Sequence, residues 1–381
     1  MWQALEADLT PAFRVFHLQP GQGVRELGAL PSAPPAQGFY WLACTRSALQ
    51  EALEPLQAAL QAVTGQPLVD LHVSDLLNAQ RPSGYDYTQH YDLLVFRRLV
   101  ASANPEQPPE SSAPRRGGPP VLRRIDTSPL GFALFDQLLL SVHPEDCVVR
   151  EAYAARLLAA QPTDPREGQA SAGARLPASS ADLMLRTLGY IVDGFLELRR
   201  ELSRQLDHWQ SELLLPRTRF TNWSALLDAR LALHELDEVC EDQRSAVQDW
   251  IEALEEWQAP EHAQALRELD LLKVRSRDLL EHIERVAHHV RRLESSTETA
   301  VQMHFSVQSN RTNDIMRTLT AVTAVFLPLN LVAGIFGMNF DVLPLIHQQH
   351  GFWWALASMA GMALALVLFF WRKRYLARSE R

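Results

Sequence analysis

The chain has 381 residues, a formal net charge of −9 and only three cysteines. The acidic balance argues against nucleic acid as a partner, which calls for a basic face. Cys44, Cys147 and Cys240 lie far apart with no Cys-x-x-Cys spacing, which excludes a disulfide framework and a structural zinc site and fits a reducing compartment.

The first residues, "MWQALEADLTPAF", place acids and a proline where a signal peptide needs a basic start and an apolar run. The N-terminal portion is therefore expected to stay in the cytosol. Residues 1–182 read as an α/β domain. "FYWLACT" and "YDLLVFRRLV" have strand length and strand composition, and "GFALFDQLLLSVH" reads as a strand pair. "SALQEALEPLQAALQAV" and "CVVREAYAARLLAA" have helical spacing. Two stretches rich in Pro, Gly, Ser and Ala, 103–120 and 163–180, read as flexible surface insertions.

Residues 183–260 predict an antiparallel pair of helices, Leu183 to Leu215 and Trp223 to Trp257. A third helix begins near Pro260, and residues 261–317 form a stalk. Leu269, Leu272, Leu279, Ile283, Val286, Val290 and Leu293 follow steps that mark a coiled-coil seam. Continued to Phe336, this helix spans on the order of 110 Å at 1.5 Å per residue, a rod expected to need neighbouring copies of itself.

No charge occurs from Thr318 to Phe340 or from Gly351 to Trp371, and each run exceeds the roughly 20 residues a bilayer core requires. Residues 318–336 and 351–371 are the predicted transmembrane helices, flanked in the second case by Phe352, Trp353, Trp354 and Trp371. The competing interpretation is a buried apolar hairpin of a soluble protein. The tail 372–381 is basic and the connector 337–350 has no Lys or Arg, so both termini are placed in the cytoplasm and the connector outside.

In the first span, Asn313, Met316, Thr320, Thr323, Leu327 and Asn330 recur at steps of three or four and share a face. Asn330 inside an apolar run either bonds a neighbouring helix or lines a wet conduit. The following "GMN" has a glycine that frees the helix end and an amide oxygen without fixed charge. Neutral oxygens can hold Mg²⁺ through its own waters, which the ion gives up reluctantly.

Placed after a long stalk, "TNDIMRTLTAVTAVFLPLNLVAGIFGMNF" resembles the CorA superfamily of divalent-cation channels, strongly from about residue 278 to 374. The resemblance implies an α+β fold with membrane helices. Its parts are an N-terminal cytosolic α/β/α domain and a stalk helix continuing into the first of two C-terminal spans, assembled as a homopentameric funnel. It implies an ion entrance at Gly337, Met338 and Asn339, with Asp341 as the loop acid. It places Asn313, Met316, Leu319, Thr323, Leu327 and Asn330 on the pore, and a basic belt at Arg372, Lys373 and Arg374.

"RDLLEH" resembles an inter-subunit metal-sensing segment, matching Asp278, with Glu281 and His282 one turn on; a solvated, salt-bridged helix face is the alternative. His288 and His289, adjacent on the stalk, point to different faces. No cofactor is implied beyond Mg²⁺ or Zn²⁺ as the transported ion and, on the metal-sensing reading, the regulatory one. The implied location is a bacterial inner membrane, in contact with lipid. Magnesium relatives usually carry a second loop acid where this chain has Leu345, a departure shared by zinc transporters resembling ZntB. His347 and His350 add soft donors near the loop. No nucleophile elbow, phosphate loop or HExxH supports an enzyme. A membrane-anchored scaffold or sensor is the remaining class.

Overall fold

The computed structural model describes residues 12–19, 23–100, 126–159, 176–214, 223–257, 262–338 and 350–372. Stretch 103–120 and residues 163–175 lie outside these, as do Asn339, Asp341, Leu345, His347, Lys373 and Arg374. The chain divides into two compact units: Met1–Glu212 with Arg219–Thr297, and Leu213–Thr218 with Glu298–Arg381.

The first unit is built on a seven-stranded sheet in the order β2-β1-β3-β7-β6-β5-β4. Its strands are β1 (Phe13–Gln19), β2 (Gly23–Leu27), β3 (Phe39–Thr45), β4 (Gly84–Tyr87), β5 (Asp92–Leu99), β6 (Thr127–Phe135) and β7 (Leu138–His143). Among the described strands only β3 and β7 pair in parallel. These two central strands are apolar almost throughout because both of their faces are covered. On one face, Val15, Leu42, Leu93, Ala133 and Leu140 join a core with helices α1 (Arg46–Glu51), α2 (Leu53–Thr64) and α3 (Asp70–Leu77). On the other face, Phe16 stacks on Trp41 at 4.9 Å, and Trp41 meets Tyr153 of α4 (Val148–Ala159) edge-on at 6.2 Å. The result is an α/β/α sandwich.

The helical segment after β3 is two helices rather than one. Thr45 caps α1 by accepting from Ala48 N at 3.1 Å, and the helix breaks at Ala52. Pro55, in the first turn of α2, has no N–H to continue the ladder of α1. Strands β1, β2 and β4 and helix α3 go beyond the predicted elements. β1 and β2 precede the first predicted strand, and β4 is a short edge strand dominated by aromatic and small residues.

The β2–β3 connection turns at Gly38, with φ of 79° in the left-handed region, and a Cβ there would run into the Leu18 carbonyl. Gly38→Ala is therefore expected to cost about 1–3 kcal/mol. A lowered midpoint of thermal or urea unfolding for the α/β unit checks this.

Three long helices follow: α5 (Ser180–Leu214), α6 (Trp223–Glu256) and α7 (Ala263–Phe336). The end of stretch 163–180 belongs to the α5 start. Ser179 Oγ accepts from Asp182 N at 3.2 Å, and Ser180 Oγ donates to the Phe135 carbonyl at 2.8 Å. Asp182–Arg275 and Ser203–His289 contacts run in the same direction along α5 and α7. Trp250–Ser276 and Asp237–Arg291 contacts run oppositely along α6 and α7. α6 is therefore antiparallel to both.

The seam residues Leu269 to Leu293 are all buried within the single chain, Val290 completely. The expected need for neighbouring copies concerns the whole rod to Phe336; further along α7 Phe305, Ile315 and Leu319 are exposed, while this part of it is covered within the single chain. Periodicity shows that a face is covered, not what covers it, and here α5 and α6 do so. Burial pushes the Cys44 and Cys240 thiols up to about 12, so both are small apolar residues rather than nucleophiles.

Candidate ion-conducting site

The second unit holds the last part of α7 and helix α8 (Gly351–Arg372). Both are long and apolar enough to cross a membrane. Their side chains are not packed inside the chain: Phe326 is 58% exposed, Leu331 63% and Trp353 65%. A soluble core hairpin would bury these residues, so that interpretation is set aside.

Asn313, Met316, Leu319, Thr323, Leu327 and Asn330 are all exposed along α7, and their spacing keeps them on one side of the helix. The structure adds the state of the hydroxyls. Thr323 Oγ1 donates to the Leu319 carbonyl at 2.8 Å, and Thr320 Oγ1 to the Met316 carbonyl at 2.7 Å. Each hydroxyl hydrogen is committed to the backbone, which leaves outward lone pairs that act only as acceptors. Among the described residues the amides of Asn313 and Asn330 have no hydrogen-bond partner. The face thus alternates oxygen acceptors with Met316, Leu319 and Leu327. Such a surface offers a hydrated cation oxygen acceptors and carries apolar positions that shed water.

α7 ends where Gly337 N donates to the Ala333 carbonyl at 2.9 Å and Met338 N to Ile335 at 3.3 Å. Gly337 is not in the left-handed region, and the expected freedom from a Cβ at the helix end takes the form of room rather than of a positive φ. What the glycine avoids is a Cβ 3.1 Å from the Ala333 carbonyl. Asn339 and Asp341 lie outside the described residues. Arg372 occupies the last turn of α8, where a cation offsets the helix dipole.

The candidate regulatory residues do not act together within one chain. His282 Nε2 sits 3.8 Å from Asp278, whereas Glu281 is held by Arg285 at 2.5 Å, a bond that lowers the Glu281 pKa. No group of three His, Cys, Asp or Glu side chains able to hold a metal occurs among the described residues. The Asp278 carboxylate is largely exposed. His289 is bonded to Ser203 at 2.7 Å and depressed by burial, which fits a packing role.

A family model described as CorA-like Mg²⁺ transporter protein matches residues 36–374. The Cobalt/magnesium transport protein CorA of Thermotoga maritima is 33% identical over 100 residues, covering 26% of this chain and 28% of that protein. The chain thus spans under a third of the length of that curated relative. The complete structure of the CorA magnesium transporter from Methanocaldococcus jannaschii superposes with a TM-score of 0.69 at 17% identity, covering 95% of this chain and 98% of that one. The ZntB cytoplasmic domain from Vibrio parahaemolyticus gives 0.51 at 14% identity, covering 79% and 98%. These structural likenesses establish the architecture: an α/β/α unit, a long helix and two apolar C-terminal helices.

Proposed function

The chain belongs to the CorA-like Mg²⁺ transporter family, and from that premise we propose that it conducts hydrated Mg²⁺ passively across the membrane through a channel lined by α7 from several copies. The observation that carries this reading is the α7 face from Asn313 to Asn330. It is exposed in the single chain, and its threonine hydroxyls point only lone pairs outward. A simple anchor has no use for a row of acceptors in a membrane helix. Five copies around an axis follow from the family likeness, with Gly337, Met338 and Asn339 forming the outer mouth. Met316, Leu319 and Leu327 form its apolar constriction. Asp278, with His282 beside it, meets a carboxylate of the next copy as the regulatory metal site. Arg372, Lys373 and Arg374 ring the inner mouth.

Purified full-length protein in liposomes with an inside-negative potential is expected to take up Mg²⁺ whether or not a pH gradient is imposed. The second reading is Zn²⁺ transport, supported by Leu345 in place of a second loop acid and by the weaker negative field this leaves at the mouth. Zinc uptake that depends on the pH gradient, with no magnesium uptake, would replace the first reading by the second.

A further inference from the structure

A groove of about 560 Å³ lies between the edge strand β4 and helix α6, within the α/β unit. Aromatic rings and carboxylates line it together. Tyr85, Tyr87 and Trp257 supply the rings, and Asp249, Glu252 and Glu256 of α6 supply acids.

The rings form a continuous run. Tyr87 stacks on Tyr85 with centroids 6.2 Å apart, Tyr85 meets Trp250 at 6.1 Å, and Trp250 meets Trp257 at 5.7 Å. Trp250 is buried and gives its indole N–H to Ser276 at 3.0 Å, which anchors the run. The two ends stay open: Tyr87 is 69% exposed and Trp257 38%. Packing of the core does not require exposed rings at both ends of one groove.

The acids are spaced for a row. Steps of three and four residues put Asp249, Glu252 and Glu256 on one face of α6, about 4.5 and 6 Å apart along its axis. A solvated acidic face usually interleaves bases at helical spacing, as Arg285 answers Glu281 and Arg186 answers Asp182. Among the described residues none of these three acids makes an ion pair, and no Lys or Arg lines the groove. Asp92, also in the lining, accepts from the Tyr85 hydroxyl at 2.7 Å. Burial and the nearby Asp136 raise its pKa above the usual carboxylate range. Through Thr88, Asp92 and Trp257 the groove adjoins a second cavity of about 620 Å³, which adds Asp136 and Glu268.

We propose that this groove binds a linear polyamine of the spermidine class. A single metal ion matches it poorly, because no three of its carboxylates converge on one point. A polyamine spreads its charge. Three- and four-carbon spacers set its nitrogens about 5–6 Å apart, close to the spacing of the acids along α6. Its ammonium groups and the methylenes beside them are attracted to aromatic faces, which a hydrated metal ion uses less well. The site is distinct from the α7 face between Asn313 and Asn330, so it holds or fails independently of ion conduction.

Calorimetric titration of spermidine into full-length detergent-solubilised protein, with Mg²⁺ present throughout, is expected to show one saturable site per chain. Propylamine, with a single charge, is expected to bind at least about tenfold more weakly. Glu252→Gln combined with Glu256→Gln should weaken spermidine about tenfold or more, and Tyr87→Ala about fivefold. Tyr87→Leu keeps apolar bulk but loses the ring face, and should match Tyr87→Ala. All of these side chains are exposed, and an unchanged unfolding midpoint shows that each variant keeps its fold. Absence of saturable binding overturns the proposal. So does wild-type affinity in Tyr87→Ala and Tyr87→Leu, or displacement of spermidine by Mg²⁺ no different from that by NaCl at equal ionic strength combined with equal binding of propylamine, which marks charge screening alone.

Discussion

Asn339→Ala is expected to abolish Mg²⁺ flux into liposomes while leaving the assembled oligomer intact. In the proposed mouth the effect of one substitution is concentrated, because every copy around the axis would lose the same oxygen. Losing roughly 0.5–1.5 kcal/mol of hydrogen bonding at each of five proposed equivalent positions compounds to about sixtyfold or more in capture of the hydrated ion. Stopped-flow uptake with an internal Mg²⁺ dye reads the loss, and the mass of the detergent-solubilised particle reads the assembly. Flux equal to wild type would remove the mouth assignment without touching the α7 face. Asn339→Asp is the informative contrast. A ring of carboxylates holds divalent ions more tightly, so binding should strengthen while throughput falls.

Asp182→Asn is expected to produce the largest loss of stability in the α/β unit. Its carboxylate is nearly fully buried in the first turn of α5. It accepts from Arg186 at 3.1–3.2 Å, from the Ala178 backbone at 3.1 Å and from Arg275 of α7. Neutralising it leaves two guanidinium groups without this counter-charge. Breaking a buried pair costs about 3–5 kcal/mol, but both arginines keep partial access to water, so about 3 kcal/mol is expected here. At roughly 2–4 °C per kcal/mol for a unit of this size, the midpoint should fall by about 6–12 °C. Arg275→Met, which leaves Asp182 bonded to Arg186, should cost less than half as much. Calorimetry on the two variants side by side checks the ordering. Equal losses would mean that Arg275, not the carboxylate, organises the joint.

The candidate site was assigned from local sequence because membrane chemistry writes itself locally. The charge-free runs ending at Phe340 and Trp371, the recurrence of Asn313 through Asn330 and the tripeptide at 337–339 are each contained in a short window. The predicted strand over Phe39–Thr45 matches β3, since a segment buried on both faces is continuously apolar. The edge strands were harder to see. β2 and β4 are short and half-covered, and their identity as strands comes from pairing with β1 and β5.

From sequence alone came the two apolar spans, the polar rhythm of the helix before the turn and the family likeness, since all of these depend on composition within a few helical turns. Tertiary structure alone decided that the Leu269–Leu293 seam is covered by the chain's own helices and that a Cβ at Gly337 would come close to the Ala333 carbonyl. The physical reason is that periodicity reports which side of a helix is covered, while the identity of the covering group depends on contacts between residues far apart in the chain.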